Sequence, residues 1–339
     1  MNSLVMTGLW ESALSHMALF GAAAIIEDRA DPRVRVQWGA SSEPEPTLVT
    51  RLTHFEVAEV VRTHAQGALA SWVGATFTHV GAQHGVFSPR LTKPNDRGDW
   101  IRLQEARRTW LDSDELGLLD RRMISGLGEM GYWCWRDPKS PDPSLGATAW
   151  EMKTRNRGEE FVMNRLALIG RAVQDRNTEQ VLRGLFEGET VDEPGKNSSG
   201  SRTPTGLTSP RPTDAARAWC ALWGFSALTT RPKTRVTVPS FVPNRSTTSG
   251  VWMADGRRYF AVPAFHRAAL PVRVRGVMRS HALIQSASER LEGAAASGAD
   301  AWLVSQGVGA VVTFAQYTSN NVNAPEHWLL DGAVWPLLR

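Results

Sequence analysis

The stretch WEMKTRNRGEEFVMNRL, residues 150–166, gathers Lys153, Arg155, Asn156, Arg157, Asn164 and Arg165 around the start of an apolar-periodic run. Arg155 and Arg157 alternate, which on an extended chain places both on one face. Guanidinium forks bind phosphate at two points and stack on bases. Asn and Arg also match the donor and acceptor pattern of base edges. A second cluster lies in DEPGKNSSGSRTPTGLTSPRPTD, residues 192–214, where Lys196, Asn197, Arg202, Thr203 and Arg211 stand among serines, threonines and glycines. Hydroxyls, amides and small residues let a backbone approach phosphate closely. Each cluster has a plainer reading: a solvated surface turn for the first and a slack Pro-rich linker for the second. In the second, only Leu207 is suited to a hydrophobic core. Together the two clusters point to nucleic acid.

The search for catalytic chemistry is otherwise empty. Cys134 and Cys220 form no CxxC pair, and two cysteines need histidine partners to hold zinc. The eight histidines form no HExxH or HxH pattern, and His79 and His84, five apart, do not share a helical face. There is no Walker A loop and no GxSxG elbow. GLGEMG, residues 126–131, matches GxGxxG but follows a charged helix rather than a strand, and reads as a helix end with permissive glycines. A binding protein with no metal and no cofactor is the expectation. The rival is a metal-independent ribonuclease with a base near neutrality, for which His16, His54 or His266 would serve.

The elements that must position these residues follow from periodicity. Helical spacing runs over 9–28, 54–72, about 99–125, 158–174, about 177–187, 214–228 with Asp214 as N-cap, 272–285 and 288–305. Strand patterns cover 34–39, 47–52, TAWEMK, RVTVPSF and 307–317, and HWLLDGAVWPLL can pair with the last. GVWMADGRRYFAVPAF is a hairpin turning at Asp255-Gly256. Residues 84–98 and 136–147 read as loops. The expected class is α+β, mixed helices and short antiparallel sheets, with a C-terminal layer of ferredoxin-like type an open reading. The expected organisation is an N-terminal domain 1–191, a flexible basic loop 192–213 and a C-terminal domain 214–339.

Composition narrows the class. With 42% hydrophobic and 21% charged residues the 339-residue chain is globular rather than disordered. Only five of the 38 basic residues are lysine, and the remainder are arginine. A GC-rich genome also favours arginine, so this bias has two readings. Fourteen tryptophans suit either core or interface. The apolar N-terminal run is broken by Glu11 and His16 and lacks a basic start, so neither a membrane span nor a signal peptide is expected. Cysteine usage fits a reducing cytoplasm.

LWESALSHMALFGAAAIIED followed by VRVQWG resembles the opening of the large-subunit families of type I CRISPR interference complexes (Cascade). WEMKTRNRGEEFVMNRL, GKNSSGSRTPTG and AWCALWGFSAL resemble a diverged subunit of the I-U subtype, also called I-G, and the hairpin with YFAVPAF, the helices and GVGAVVTFAQY fit the same pattern. The resemblance implies a non-catalytic subunit in antiviral defence. It would contact guide RNA, target DNA and other Cascade subunits, with a helicase-nuclease recruited in trans. Typical large subunits are much longer, which leaves open a ferredoxin-like RNA-binding or guide-processing subunit of the same system, or a plain scaffold. Replacing Arg155 and Arg157 by alanine in the assembled complex is expected to lower the salt slope of nucleic-acid binding by roughly 0.7–0.9 for each phosphate that goes unneutralised. An unchanged slope and affinity would make the cluster surface only.

Overall fold

A computed structural model describes residues 1–39, 44–89, 97–128, 135–137, 140–141, 161–190, 206–208, 213–232, 246–294, 298–320 and 327–338. The class is α+β, as expected. The chain runs β1 (Asn2–Val5), α1 (Ala13–Arg29), β2 (Arg35–Trp38), β3 (Pro46–Thr50), α2 (His54–Ala70), β4 (Thr76–His79), β5 (Ala82–Gly85), α3 (Arg97–Leu111) and α4 (Leu118–Leu127). A short ribbon, β6 (Trp135–Asp137) and β7 (Ser140–Pro141), precedes a π-helical turn at Val162–Leu166 that runs into α5 (Ala167–Gln174). Next come α6 (Thr178–Leu182), a second π-turn at Arg183–Glu187, α7 (Ala215–Trp223), a 3-10 turn at Gly224–Ala227, β8 (Thr230–Pro232) and β9 (Ser246–Thr248). The C-terminal elements are β10 (Val251–Ala254), β11 (Arg257–Phe265), α8 (Pro271–Met278), α9 (His281–Leu291), α10 (Gly298–Ser305), β12 (Val308–Thr318), β13 (His327–Leu329) and β14 (Ala333–Pro336).

Helix α1 is the centre of the molecule. Every residue from Ala13 to Ile26 is buried, and a helix apolar on all sides must be surrounded on all sides. Helix α7 crosses it with the two backbones touching. A Cβ on Gly21 would lie 1.8 Å from the Cys220 carbonyl oxygen, and one on Gly224 would lie 2.4 Å from that of Met17. Asp214 starts α7 as the sequence predicts. Its Oδ1 accepts from the backbone N–H of Ala216 (2.7 Å) and Arg217 (3.3 Å), and its Oδ2 accepts from Arg176 Nη1 at 2.8 Å. This ion pair is almost wholly buried, at 2% and 0% side-chain exposure. Helix α2 opens with a capping box, Thr53 and Glu56 each bonding the other's backbone N–H, and packs on α5 and α6.

Two antiparallel sheets flank the helices. One has the order β1-β3-β2, and a paired bridge between Val36 and Ala269 ties it to the C-terminal half. In the other, β10, β11 and β12 are consecutive neighbours, and β12 takes β14 along Ala310–Thr313 and β13 along Gln316–Thr318. The predicted turn is present: Asp255 and Gly256 both have positive φ, +47° and +73°, the backbone twist of a type I′ hairpin. Strands β10 and β11, three helices, then β12 to β14 is not the β-α-β-β-α-β order of a ferredoxin-like layer. Residues on both sides of 192–213 join one hydrophobic core, and so does Leu207, at 1% exposure. Beside it, the Gly206 carbonyl oxygen accepts from the Leu329 N–H at 3.0 Å.

Local capping explains where element boundaries depart from periodicity. The expected helix 99–125 is two, because the Asp120 carboxylate accepts from the Gly117 N–H and starts α4 afresh. The expected helices 272–285 and 288–305 become three, because Ser280 Oγ accepts from the Leu283 N–H and α9 ends at Leu291. Part of the loop expected at 84–98 belongs to the β4–β5 hairpin, turned by Val80 and Gly81 at positive φ. Strand β1 lacked a sequence signal. GLGEMG begins at the end of α4, where Gly128 has φ +91°. TAWEMK and RVTVPSF lie outside the described residues. No helix among the described residues is long and apolar enough to cross a membrane.

Two measurements probe this packing. Gly21→Ala is expected to force α1 and α7 apart and cost about 3 kcal/mol or more. Gly67→Ala, where the added Cβ meets nothing within 4 Å, is expected to stabilise by roughly 0.5–1 kcal/mol; chemical denaturation of both variants checks the contrast. The second probe is pH. Burial lowers the His16 pKa to about 4, with the Trp10 carbonyl pulling it partly back, and burial together with the Arg29 charge lowers that of His64 to about 3. Below pH 6.5 the unfolded chain takes up protons that the folded chain refuses. Stability is therefore full above pH 6.5 and falls with acidification, by about 2 kcal/mol per histidine at pH 5. His16→Gln should lower stability at pH 7 and flatten the decline between pH 7 and 5; an unflattened decline would contradict this assignment.

Candidate nucleic-acid interface

Most of the residues singled out in the sequence lie outside the described residues: Lys153, Arg155, Asn156 and Arg157 of the first cluster, and Lys196, Asn197, Arg202, Thr203 and Arg211 of the second. Asn164 and Arg165 are described, on the π-turn that leads into α5. Asn164 is exposed. Arg165 is buried, at 3% exposure, with Nη1 donating to the Asn164 carbonyl oxygen at 3.2 Å. Arg165, expected with Asn164 to contact nucleic acid, thus turns inward while Asn164 stays on the surface. Adjacent residues of a helical turn point in different directions, and Arg165 follows Val162 and Leu166 inward.

The histidines resolve differently from their spacing. In the β4–β5 hairpin His84 pairs with Phe77, and His79, two residues on from Phe77, shares its face. The two rings lie 5.8 Å apart, and His79 Nδ1 sits 3.5 Å from Asp99 Oδ2. Five residues is the diagonal spacing of a two-residue turn, so a pair excluded from one helical face meets across a ribbon. His79, His84 and Asp99 are all at 6% exposure or below. Among the described residues no group of three or more potential ligands could hold a metal. His16, one of the three candidate bases, is fully buried, its Nε2–H donating to the Trp10 carbonyl oxygen at 2.8 Å. His54 stacks edge-on against Phe186.

The surface with recognisable binding geometry is one that sequence reasoning missed. On the C-terminal sheet Trp252 faces Tyr259, Tyr259 faces Ala315, and two residues on from Ala315, Tyr317 faces Trp328. Because side chains alternate across the pleat, these four aromatics line one face near the hairpin end of the sheet. Phe260 and Phe314 point the other way into the core, where Phe314 meets His16. The aromatics form two pairs, Trp252 with Tyr259 at 5.4 Å and 26° and Tyr317 with Trp328 at 4.2 Å and 30°. Each of the four is at least partly exposed, Tyr317 by 38%. Arg257 is exposed at the turn, and Arg258 donates to Gln316 Oε1 at 3.2 Å. Tyr317 is the most open of the four, whereas Trp252 also packs against the core. The open parts of such rings on a sheet offer flat π-faces on which unpaired bases stack. The signal available in the sequence was one or two aromatics in each of four strands, but only register shows that Trp252, Tyr259, Tyr317 and Trp328 form a row. The chain matches no family model and no curated protein.

Proposed function

We propose that this chain is a non-catalytic, nucleic-acid-binding subunit of a CRISPR RNA-guided DNA surveillance complex, of the I-U/I-G type that its sequence resembles. The observation that carries nucleic-acid binding is the aromatic row of Trp252, Tyr259, Tyr317 and Trp328 on one sheet face. Stacking on such a row is tolerant of sequence, because every base has a π-face. That suits a subunit holding a guide or a displaced strand whose sequence varies from target to target. The Arg-rich composition supplies phosphate contacts around it. In this reading the partners are guide RNA, target DNA and neighbouring subunits, cleavage falls to a helicase-nuclease recruited in trans, and the setting is the cytoplasm. Cys220 is compatible with a reducing setting: it is a free thiol, fully buried, whose pKa burial pushes far up, and it is inert. Against the ribonuclease reading, one of its three candidate bases, His16, is fully buried, while His54 and His266 keep some exposure.

Fluorescence anisotropy with labelled single-stranded RNA and DNA tests the reading. Trp252→Ala with Tyr259→Ala, and Tyr317→Ala with Trp328→Ala, should each weaken binding by about 1–3 kcal/mol per base unstacked, roughly 5- to 150-fold, with unchanged circular dichroism. Binding that survives both double substitutions would remove the interface. Co-purification with the products of neighbouring genes, followed by sequencing of bound RNA, tests the assignment to a surveillance complex; recovery of no repeat-derived RNA would refute it.

A further inference from the structure

Arginines from three separate segments, Arg122, Arg231 and the pair Arg275 and Arg279, gather near the end of α1. Arg275 donates from Nη1 to Glu27 Oε2 at 2.7 Å and from Nη2 to Oε1 at 3.3 Å, the two-pronged geometry of a guanidinium on a carboxylate. Arg122, from α4, donates to the same Oε2 at 3.2 Å. Arg279, one turn beyond Arg275 at the end of α8, donates to the carbonyl oxygens of Leu228 (3.1 Å) and Ser226 (3.5 Å). Burial pushes the Arg279 pKa down, and so do the charges of Arg275, Arg122 and Arg231. Arg122 is likewise pushed down, by burial and by Arg275, against the pull of Glu27 and Asp28. Glu27 is fully engaged by two of the four. The other acid at this corner, Asp28, has its own partner in Arg29 at 3.1 Å. An apolar cleft lined by Phe20, Ala23, Ala24, Val36, Pro271 and Val274 abuts Arg275, and its low-dielectric wall strengthens every charge interaction beside it.

Joining α1 to α8 and α4 needs only the Glu27 bonds of Arg275 and Arg122. Arg279 adds like charge one helical turn from Arg275. Arg231 comes three residues after Leu228, whose carbonyl Arg279 takes, beside Thr230, which donates to the Gly126 carbonyl oxygen of α4 at 2.7 Å. Among the described residues no carboxylate is paired with either. Arginine stays protonated even there, so the mutual repulsion is permanent, and it is relieved when an anion enters.

We propose that this corner is a phosphate-binding seat, with the oxyanion held by Arg122, Arg231 and Arg279 while Arg275, fixed on Glu27, forms its back wall. The ligand chemistry is a phosphate group, belonging either to a nucleic-acid backbone or to a free phosphate or mononucleotide. None of these residues lies on β10 to β14, so the seat stands or falls independently of the stacking face.

Thermal unfolding of the whole chain in inorganic phosphate, against sodium chloride at matched ionic strength, is the first arm. The melting temperature of the unsubstituted chain should rise with phosphate concentration, as binding to the folded state alone requires. Arg231→Ala with Arg279→Gln should abolish that rise. Arg231→Ala alone, at an exposed residue, should weaken it and serves if the double variant does not melt cooperatively. Glu27→Gln, which removes the facing carboxylate, should steepen it. The second arm measures a labelled single-stranded oligonucleotide. A salt slope lowered by about 0.7 per phosphate released in the double variant assigns the seat to a backbone phosphate. An unchanged oligonucleotide affinity together with an abolished phosphate response assigns it to a free anion. No phosphate-dependent rise in the unsubstituted chain, or a rise that persists in Arg231→Ala with Arg279→Gln, overturns the seat. Loss of oligonucleotide binding only in the aromatic variants leaves the phosphate arm unaffected.

Discussion

The meeting of the backbones of α1 and α7 is the constraint on which the rest of the structure depends. Both helices are short of side-chain bulk where they meet, and Gly21 and Gly224 bring each backbone against a carbonyl oxygen of the other. A helix buried on every side has no polar face to orient it, so α1 takes its position from its neighbours. The close approach to α7 fixes that position. The 3-10 turn that follows α7 then meets α4, and Asp214 at the start of α7 reaches Arg176. One acid therefore satisfies two orphan amides of a helix start and neutralises a buried guanidinium. Removing it would take a buried carboxylate partner from that guanidinium, and breaking a buried ion pair in this way typically costs about 3–5 kcal/mol.

Charge and aromatic residues divide between interior and surface in a consistent way. Trp72, Trp219 and Trp223 are fully buried, and the first two use their indole N–H on Asp120 and His64. Indole is tolerated in a core when its N–H finds a partner. Trp252 and Trp328 instead sit on a sheet face with partial exposure, each paired with a tyrosine. A core requires such rings to be covered, whereas a stacking surface requires the opposite. The tryptophans therefore divide between the interior and a partly exposed sheet face, with Trp252 at the boundary of the two.

The arginines divide similarly. Arg176 and Arg290 are absorbed by intramolecular carboxylates, the latter through a two-pronged bond to Asp300 at 2.8 Å on each arm. At the end of α1 the ratio reverses, and guanidinium groups outnumber the carboxylate they share.

Much of the local structure was legible in the sequence. Asp214 as a cap, Asp255-Gly256 as a hairpin turn, the helical period of α1 and α2, the alternation of β2 and β12, and Leu207 as the inward-facing residue of a polar segment each depend on a few neighbouring residues, and each is present. Fold class followed from the order of these elements. What only the tertiary structure decided is which residues remote in the chain come together. Glu27 meets Arg122 across 95 positions and Arg275 across 248. The aromatic row needs the register of four strands, since a slip of one residue would turn its rings to the other face. The pairing of His79 with His84 needed a turn rather than a helix between them. The sequence groups Arg165 with a phosphate-binding cluster because charge is visible in a sequence and direction is not. Backbone preference is a local property, set by caps, turns and periodicity. Which side chains share a site depends on how the elements pack, and that is decided by burial summed over the whole chain.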